Sequence, residues 1–148
     1  MSEVVTGIFG GLFELGRLTP ALPTFFGNVF LDDGIGTQYR FESFGIRDKL
    51  YGVNVVYAFA VEHFGSHSIK YIGKANILSE RINSHERLAE AIRAGANRLL
   101  IHTPTPYDRV SHEEAEKRLI RRYSPSMNTQ HTASNEFSQM IIGLGLLT

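Results

Sequence analysis

KYIGKANILSERINSH, Lys70 to His85, is the stretch whose reading decides the fold. It reads as a strand ending in Tyr71-Ile72-Gly73, a short turn, and a helix that carries Arg81 and His85 one turn apart. A phenol, a lysine, a guanidinium and an imidazole are thereby gathered at one strand–helix junction. These are groups for moving protons and holding anions, concentrated in a short span.

Upstream, Val53, Val55, Tyr57, Phe59 and Val61 alternate with Asn54, Val56, Ala58 and Ala60, the period of two that marks a strand. Gly65-Ser66 supplies a turn, and Ser68 to Gly73 returns as the second strand of a hairpin. In that register Tyr57 and Tyr71 stand near the end of a small antiparallel sheet. Downstream, Asn76 is a suitable cap for a helix running to about Ala94, and Gly95 suits the left-handed position that ends it. The apolar stripe of that helix is Leu78, Ile82, Ala89 and Ile92, with Arg81 and His85 on its shoulder. Asn97 to His102 reads as a third strand, and residues 103–108 as a Pro-rich loop. Ser111 and Glu114 form a capping box for a helix that runs through Arg122 and is stopped by Pro125. On that helix Glu116 shares one face with Leu119, Ile120 and Tyr123. A carboxylate on an apolar stripe needs a cation, whether a metal, an arginine or a lysine, because burying it unpaired costs several kcal/mol.

The chain has 148 residues and 43% hydrophobic composition, enough for one soluble domain with a small appendage. It contains no cysteine, which excludes a disulfide scaffold and a thiolate metal site. Formal net charge is zero, so a nucleic-acid surface has to be a local patch. Residues 1–50 are glycine-rich and read as an N-terminal extension, with a helical segment near Ile8–Leu18 and a hairpin in which 28–31 and 37–41 flank Asp32-Asp33-Gly34. Packing against the main domain is the simplest role for this extension. Residues 51–130 form the main domain and 131–148 a C-terminal tail. The absence of a basic leader before the apolar N-terminal residues, and of any long apolar run, predicts a cytoplasmic protein that does not span a membrane.

Five pieces now stand in order: Val55-Val56-Tyr57; Tyr71-Ile72-Gly73; Arg81 eight residues later with His85 four further on; Glu116 in Glu-x-x-Leu-Ile; and Asn128 closing Pro-Ser-Met-Asn. Together, over residues 52–130, they resemble the GIY-YIG nuclease family. Val55 stands where the family has the first glycine, and 13 residues separate the two tyrosines, slightly more than is usual there. The resemblance implies an α+β fold, a small three-stranded antiparallel sheet flanked by helices, and a metal-dependent endonuclease that hydrolyses DNA phosphodiester bonds. It implies Tyr57, Tyr71, Arg81, His85 and Glu116 as catalytic residues, one tyrosine being the general base, and 5′-phosphate and 3′-hydroxyl ends.

The residue types suit that chemistry. The transition state gathers negative charge on phosphoryl oxygens, and a fixed cation there is worth several kcal/mol. Arg81 has the planar fork that binds phosphate bidentately and stays charged. Glu116 is a fitting ligand for one Mg²⁺ (or Mn²⁺), a hard ion that accepts a single carboxylate plus waters and phosphate oxygens. A free tyrosine has a pKa of ~10, so a tyrosine base needs a nearby cation or a relay through a second tyrosine. Tyr71 is the preferred base because Lys74 is close in sequence. Lys74, Arg118, Arg121, Arg122 and Asn128 are the candidate phosphate-binding residues, with Arg87, Arg93 and Arg98 along the preceding helix region. His63, His67, His102, His112 and His131 show no metal-binding spacing and receive no role. Two rival functions remain, a catalytically weak nucleic-acid-binding or assembly module of the same fold and an RNase.

Overall fold

The computed structural model describes residues 22–83 and 85–128. The helical segment expected near Ile8–Leu18 and the tail at 131–148 lie outside the described residues.

Five strands form one antiparallel sheet: β1 (Asn28–Asp32), β2 (Gln38–Gly45), β3 (Val53–His63), β4 (Ser66–Ile77) and β5 (Arg98–His102). Their order is β1-β2-β5-β3-β4. The fold is therefore α+β, as expected, but the sheet has five strands rather than three. The hairpin at 28–45 does not stand apart from it. β2 pairs with β5 from Glu42↔Ile101 to Gly45↔Arg98, which extends the sheet that the other three strands begin.

β3 lies inside the sheet, between β5 and β4, and both of its faces are apolar. Val55, Tyr57 and Phe59 point to one face and Val56, Ala58 and Ala60 to the other, and all six are buried. The small alanines on the second face let a helix approach closely. The hairpin to β4 closes in two residues, Phe64 (φ 51°) and Gly65 (φ 85°), the paired positive φ that matches the strand twist. β4 runs on to Ile77, so Tyr57 (opposite Gly73) and Tyr71 (opposite Phe59) lie midway along their strands rather than near the strand ends.

The helices split between the faces. α1 (Leu78–Asn83) and α2 (Glu86–Arg93) cover the face of Val55, Tyr57, Phe59 and Leu99, through Leu78, Ile82, Leu88 and Ile92. α3 (His112–Tyr123) covers the face of Phe41, Val56, Ala58 and Leu100, through Ala115 and Leu119. The long helix expected from Asn76 to Ala94 is two short ones. Asn76 remains in β4, and the helical run is interrupted at His85. His85, with extended φ/ψ, is the N-cap of α2 rather than a mid-helix residue. An Asx-type or hydroxyl cap is the usual reading of helix starts, and an imidazole accepting the Arg87 N–H has the same effect. Gly95 ends α2 at φ +100°, as its type predicts. Ser111 Oγ accepts the Glu114 N–H at 3.1 Å, and Ser124 in the left-handed region ends α3 before Pro125. No helix among the described residues is long and apolar enough to cross a membrane.

Candidate active site

The two tyrosines reach each other because Gly73 has no side chain. A Cβ there would lie 2.5 Å from Tyr57 Oη, 2.6 Å from Tyr57 Cζ and 3.0 Å from Tyr71 Cε2. The space a side chain would fill is where the Tyr57 hydroxyl sits. Tyr57 is fully buried, and its ring centroid lies 6.3 Å from that of Tyr71. Tyr71 is half-buried, stacked on Phe59 at 5.6 Å and 24°.

The break between α1 and α2 turns His85 inward. Its Nε2 lies 2.7 Å from Tyr57 Oη, and its Nδ1 accepts the Arg87 N–H at 3.0 Å. A neutral imidazole whose Nδ1 accepts must carry its proton on Nε2, so His85 donates to the Tyr57 oxygen. Burial, with the charges of Arg81 and Arg87, holds the His85 pKa down to about 4, and the ring is neutral at pH 7. Its edge meets the Tyr71 ring at 5.1 Å, which fixes Tyr57, Tyr71 and His85 as one packed group. Burial pushes the Tyr57 hydroxyl well above the ordinary tyrosine pKa; the nearby Tyr71 and Glu116 add to the rise, and Arg81 opposes it. With its oxygen already accepting from His85, the Tyr57 hydroxyl has its own proton to give away.

Arg81 sits on α1, close enough for its charge to act on both Tyr57 and His85. It lines an open groove of about 360 Å³ with Lys74, Ala75, Asn76, Ile77 and Glu80.

Glu116 comes from the opposite face of the sheet and reaches the same region by way of β4. β4 is the last strand of the sheet among the described residues, so there its outward backbone groups have no strand partner. Side chains take their place. Glu116 accepts the Lys74 N–H, and Asn128 bonds the Ile72 N–H through Oδ1 and the Ile72 C=O through Nδ2, both at 2.9 Å. Burial raises the Glu116 pKa despite the opposing Lys74 and Lys117 charges and the Lys74 N–H. The cations whose charges act on this half-buried carboxylate are Lys74 and Lys117.

Comparison with models of known protein families, with curated proteins and with solved structures finds no match to this chain.

Of the residues singled out from sequence, Tyr57, Tyr71, Arg81, His85, Glu116 and Lys74 converge. The others do not. Arg118 pairs with Asp33 at 3.5 Å and with Glu114 at 3.2 Å, and Arg122 pairs with Asp32 at 3.4 Å. Both turn toward the β1–β2 loop and fasten it to α3. Asn128 commits its amide to Ile72, so it clamps a strand edge instead of offering a phosphate contact. Arg121 is exposed on α3. Among the described residues, no group of three or more His, Cys, Asp or Glu is arranged to hold a metal ion.

Two residues were given no chemistry by the sequence reading yet adjoin the site. His112 Nε2 lies 3.3 Å from Asn76 Oδ1, at the groove lined by Asn76. The available signal was spacing, since His112 precedes Glu116 by one helical turn.

Proposed function

We propose that the protein is a GIY-YIG-type endonuclease, a metal-dependent hydrolase of DNA phosphodiester bonds. The observation that carries the reading is the convergence of Tyr57 from β3, Tyr71 from β4, His85 at the α2 N-cap and Glu116 from α3 within reach of Arg81, which lines an open groove. A structural network would not need a half-buried carboxylate and a half-buried tyrosine beside an arginine that lines an opening to solvent.

The donor set fits a hard divalent cation. Glu116 is a carboxylate whose burial is only partly offset by its neighbours, and Mg²⁺ accepts a single carboxylate with waters and phosphate oxygens around it. When bound, the ion supplies positive charge where the phosphoryl and leaving oxygens become more negative. The remaining chemistry belongs to side chains. Arg81, at the groove, binds the scissile phosphate and stabilises charge that develops on it. Tyr71, half-exposed, takes a proton from the attacking water as general base. Tyr57 stands behind it: His85 Nε2–H donates to Tyr57 Oη, and the Tyr57 O–H is directed to the developing Tyr71 phenolate. His85 is a positioning residue here, neutral so that its single N–H is always on the Tyr57 side. Lys74 holds the Glu116 carboxylate and adds positive charge to the groove.

The test is plasmid cleavage by wild type and by Glu116→Gln, each with Mg²⁺, with and without chelator, and with an RNA of the same sequence alongside. Gln keeps the shape and loses the charge. Cleavage is expected to vanish in the variant while DNA binding persists and the melting temperature holds or rises. Chelator-insensitive cleavage, or full activity in the variant, overturns the metal-dependent reading. Preferential cleavage of RNA makes it an RNase. DNA binding without cleavage by wild type makes it a binding module.

A further inference from the structure

α3 and the residues that follow it lie against β4 as a set of rungs. Ile72 is clamped by Asn128, Lys74 gives its N–H to Glu116, and Asn76 meets His112. Residues 72, 74 and 76 share one side of the strand, while His112 and Glu116 share one side of the helix, with Cβ atoms ~5–6 Å apart at this spacing. Two potential ligands therefore stand on successive turns of α3 and meet alternate residues of β4, His112 at Asn76 and Glu116 at Lys74.

The hydrogen bond to Asn76 determines what His112 can do. Asn76 Oδ1 only accepts, so His112 Nε2 carries the proton and donates, across 3.3 Å. In the neutral ring Nδ1 is then the unprotonated nitrogen, with its lone pair. A neutral histidine with one N–H given to an oxygen acceptor and the other nitrogen unprotonated is the form in which imidazole ligates a metal.

We propose that His112 Nδ1 and the Glu116 carboxylate form a two-residue site for a divalent metal, oriented by Asn76. The site prefers a first-row transition ion over Mg²⁺. This deepens the nuclease reading, since it takes Glu116 as the cation-binding carboxylate. A lone carboxylate suits Mg²⁺; adding an imidazole nitrogen strengthens binding of Co²⁺ or Ni²⁺ far more than of Mg²⁺, which favours oxygen ligands. The imidazole also limits the ion's open positions to water and phosphate oxygens on the groove side.

The experiment is calorimetric titration of the full chain with Co²⁺ and separately with Mg²⁺, for wild type, His112→Gln, Asn76→Ala and Glu116→Gln. Thermal melts establish that each variant is folded. Gln at 112 retains a donor for Asn76 Oδ1 but removes the ring nitrogen. His112→Gln is expected to weaken Co²⁺ binding about 10-fold or more and to change Mg²⁺ binding less than about 2-fold. Asn76→Ala weakens Co²⁺ in the same direction, on the scale of 10-fold reported for groups that orient a metal-bound histidine. Glu116→Gln weakens both ions. Unchanged Co²⁺ affinity in folded His112→Gln, or equal losses for Co²⁺ and Mg²⁺, overturns the assignment, as does a wild-type chain that binds no Co²⁺. The two proposals fail separately. Glu116-dependent DNA cleavage with Co²⁺ binding unaffected at His112 keeps the nuclease and removes this site. His112-dependent Co²⁺ binding without cleavage of any nucleic acid keeps the site and removes the nuclease.

Discussion

Gly73→Ala is a one-methyl test of how the two tyrosines are held. The added Cβ would sit 2.5 Å from Tyr57 Oη and 2.6 Å from Cζ, about 0.9 Å inside the 3.4 Å where ordinary contact begins. Tyr57 cannot swing away cheaply. Its ring is fully buried, between Phe59 at 5.6 Å and His85 at 5.6 Å, and its hydroxyl is tied to His85 at 2.7 Å. Overpacking of a tight core costs ~1–3 kcal/mol, and losing the His85–Tyr57 bond adds ~1 kcal/mol. The expected destabilisation is thus ~2–4 kcal/mol, a fall in melting temperature on the order of 10 °C for a domain of this size. Urea denaturation of Gly73→Ala, Tyr57→Leu and the double variant measures it directly. Leucine withdraws the atoms that collide, so in the Tyr57→Leu background Gly73→Ala is expected to cost less than ~0.5 kcal/mol. Costs that add within ~0.5 kcal/mol, the range for independent sites, would refute the claim that Gly73 exists to clear Tyr57. That outcome would stand whatever the protein's function. Plasmid cleavage by Gly73→Ala at a temperature where it remains folded is expected to fall by about 10²-fold, because misplacing a catalytic group by about 1 Å has that effect.

Tyr71→Phe is expected to abolish cleavage and Tyr57→Phe to slow it less severely, both folded by circular dichroism; inactivity of Tyr57→Phe alone, with Tyr71→Phe active, reverses the assignment of the base. His85 is neutral when folded, with a pKa of about 4 against ~6.5 unfolded. The unfolded chain therefore takes up a proton first, and the contribution of His85 to stability, whole above pH 6.5, is lost as pH falls toward 4. The loss is on the order of 2–3 kcal/mol by urea denaturation, and His85→Gln is expected to flatten that part of the profile. Asp33 is the hidden anchor of the β1–β2 loop. Burial alone would raise its pKa, but the Ile35 and Thr37 N–H groups, the Tyr39 hydroxyl and Arg118 hold it down to about 2. Asp33→Asn is expected to lower the melting temperature, and the Asp33 contribution to wild-type stability to be lost as pH falls from 3.8 toward 2; an unchanged melt would show that the loop is not fastened there.

Local chemistry was legible in the residues themselves. Alternation along 53–61, the Gly65 turn, the Ser111–Glu114 cap, Gly95 and Pro125 each act over a few residues, so their elements stand where the pattern puts them. The single helix expected from 76 to 94 failed for a local reason too. Helical spacing in 78–92 does not reveal that His85 caps a new helix, because imidazoles seldom do so. The sequence also presented Tyr57, Tyr71, Arg81, His85 and Glu116 as a set, since their order resembles one family's motif, but it carried no distances. The tertiary structure alone decided the rest. Strand pairing is long-range, so nothing near residues 38–45 announces that they bond to 98–102 and make the sheet five strands wide. Partner choice among charges is also long-range. Arg118 and Arg122 read as a phosphate strip until Asp33 and Asp32 are seen beside them, and Asn128 as a phosphate contact until its amide is seen to bond the Ile72 backbone. The glycine of Tyr71-Ile72-Gly73 is the sharpest case: its identity is written in the chain, but the hydroxyl that needs its empty space belongs to a residue on another strand.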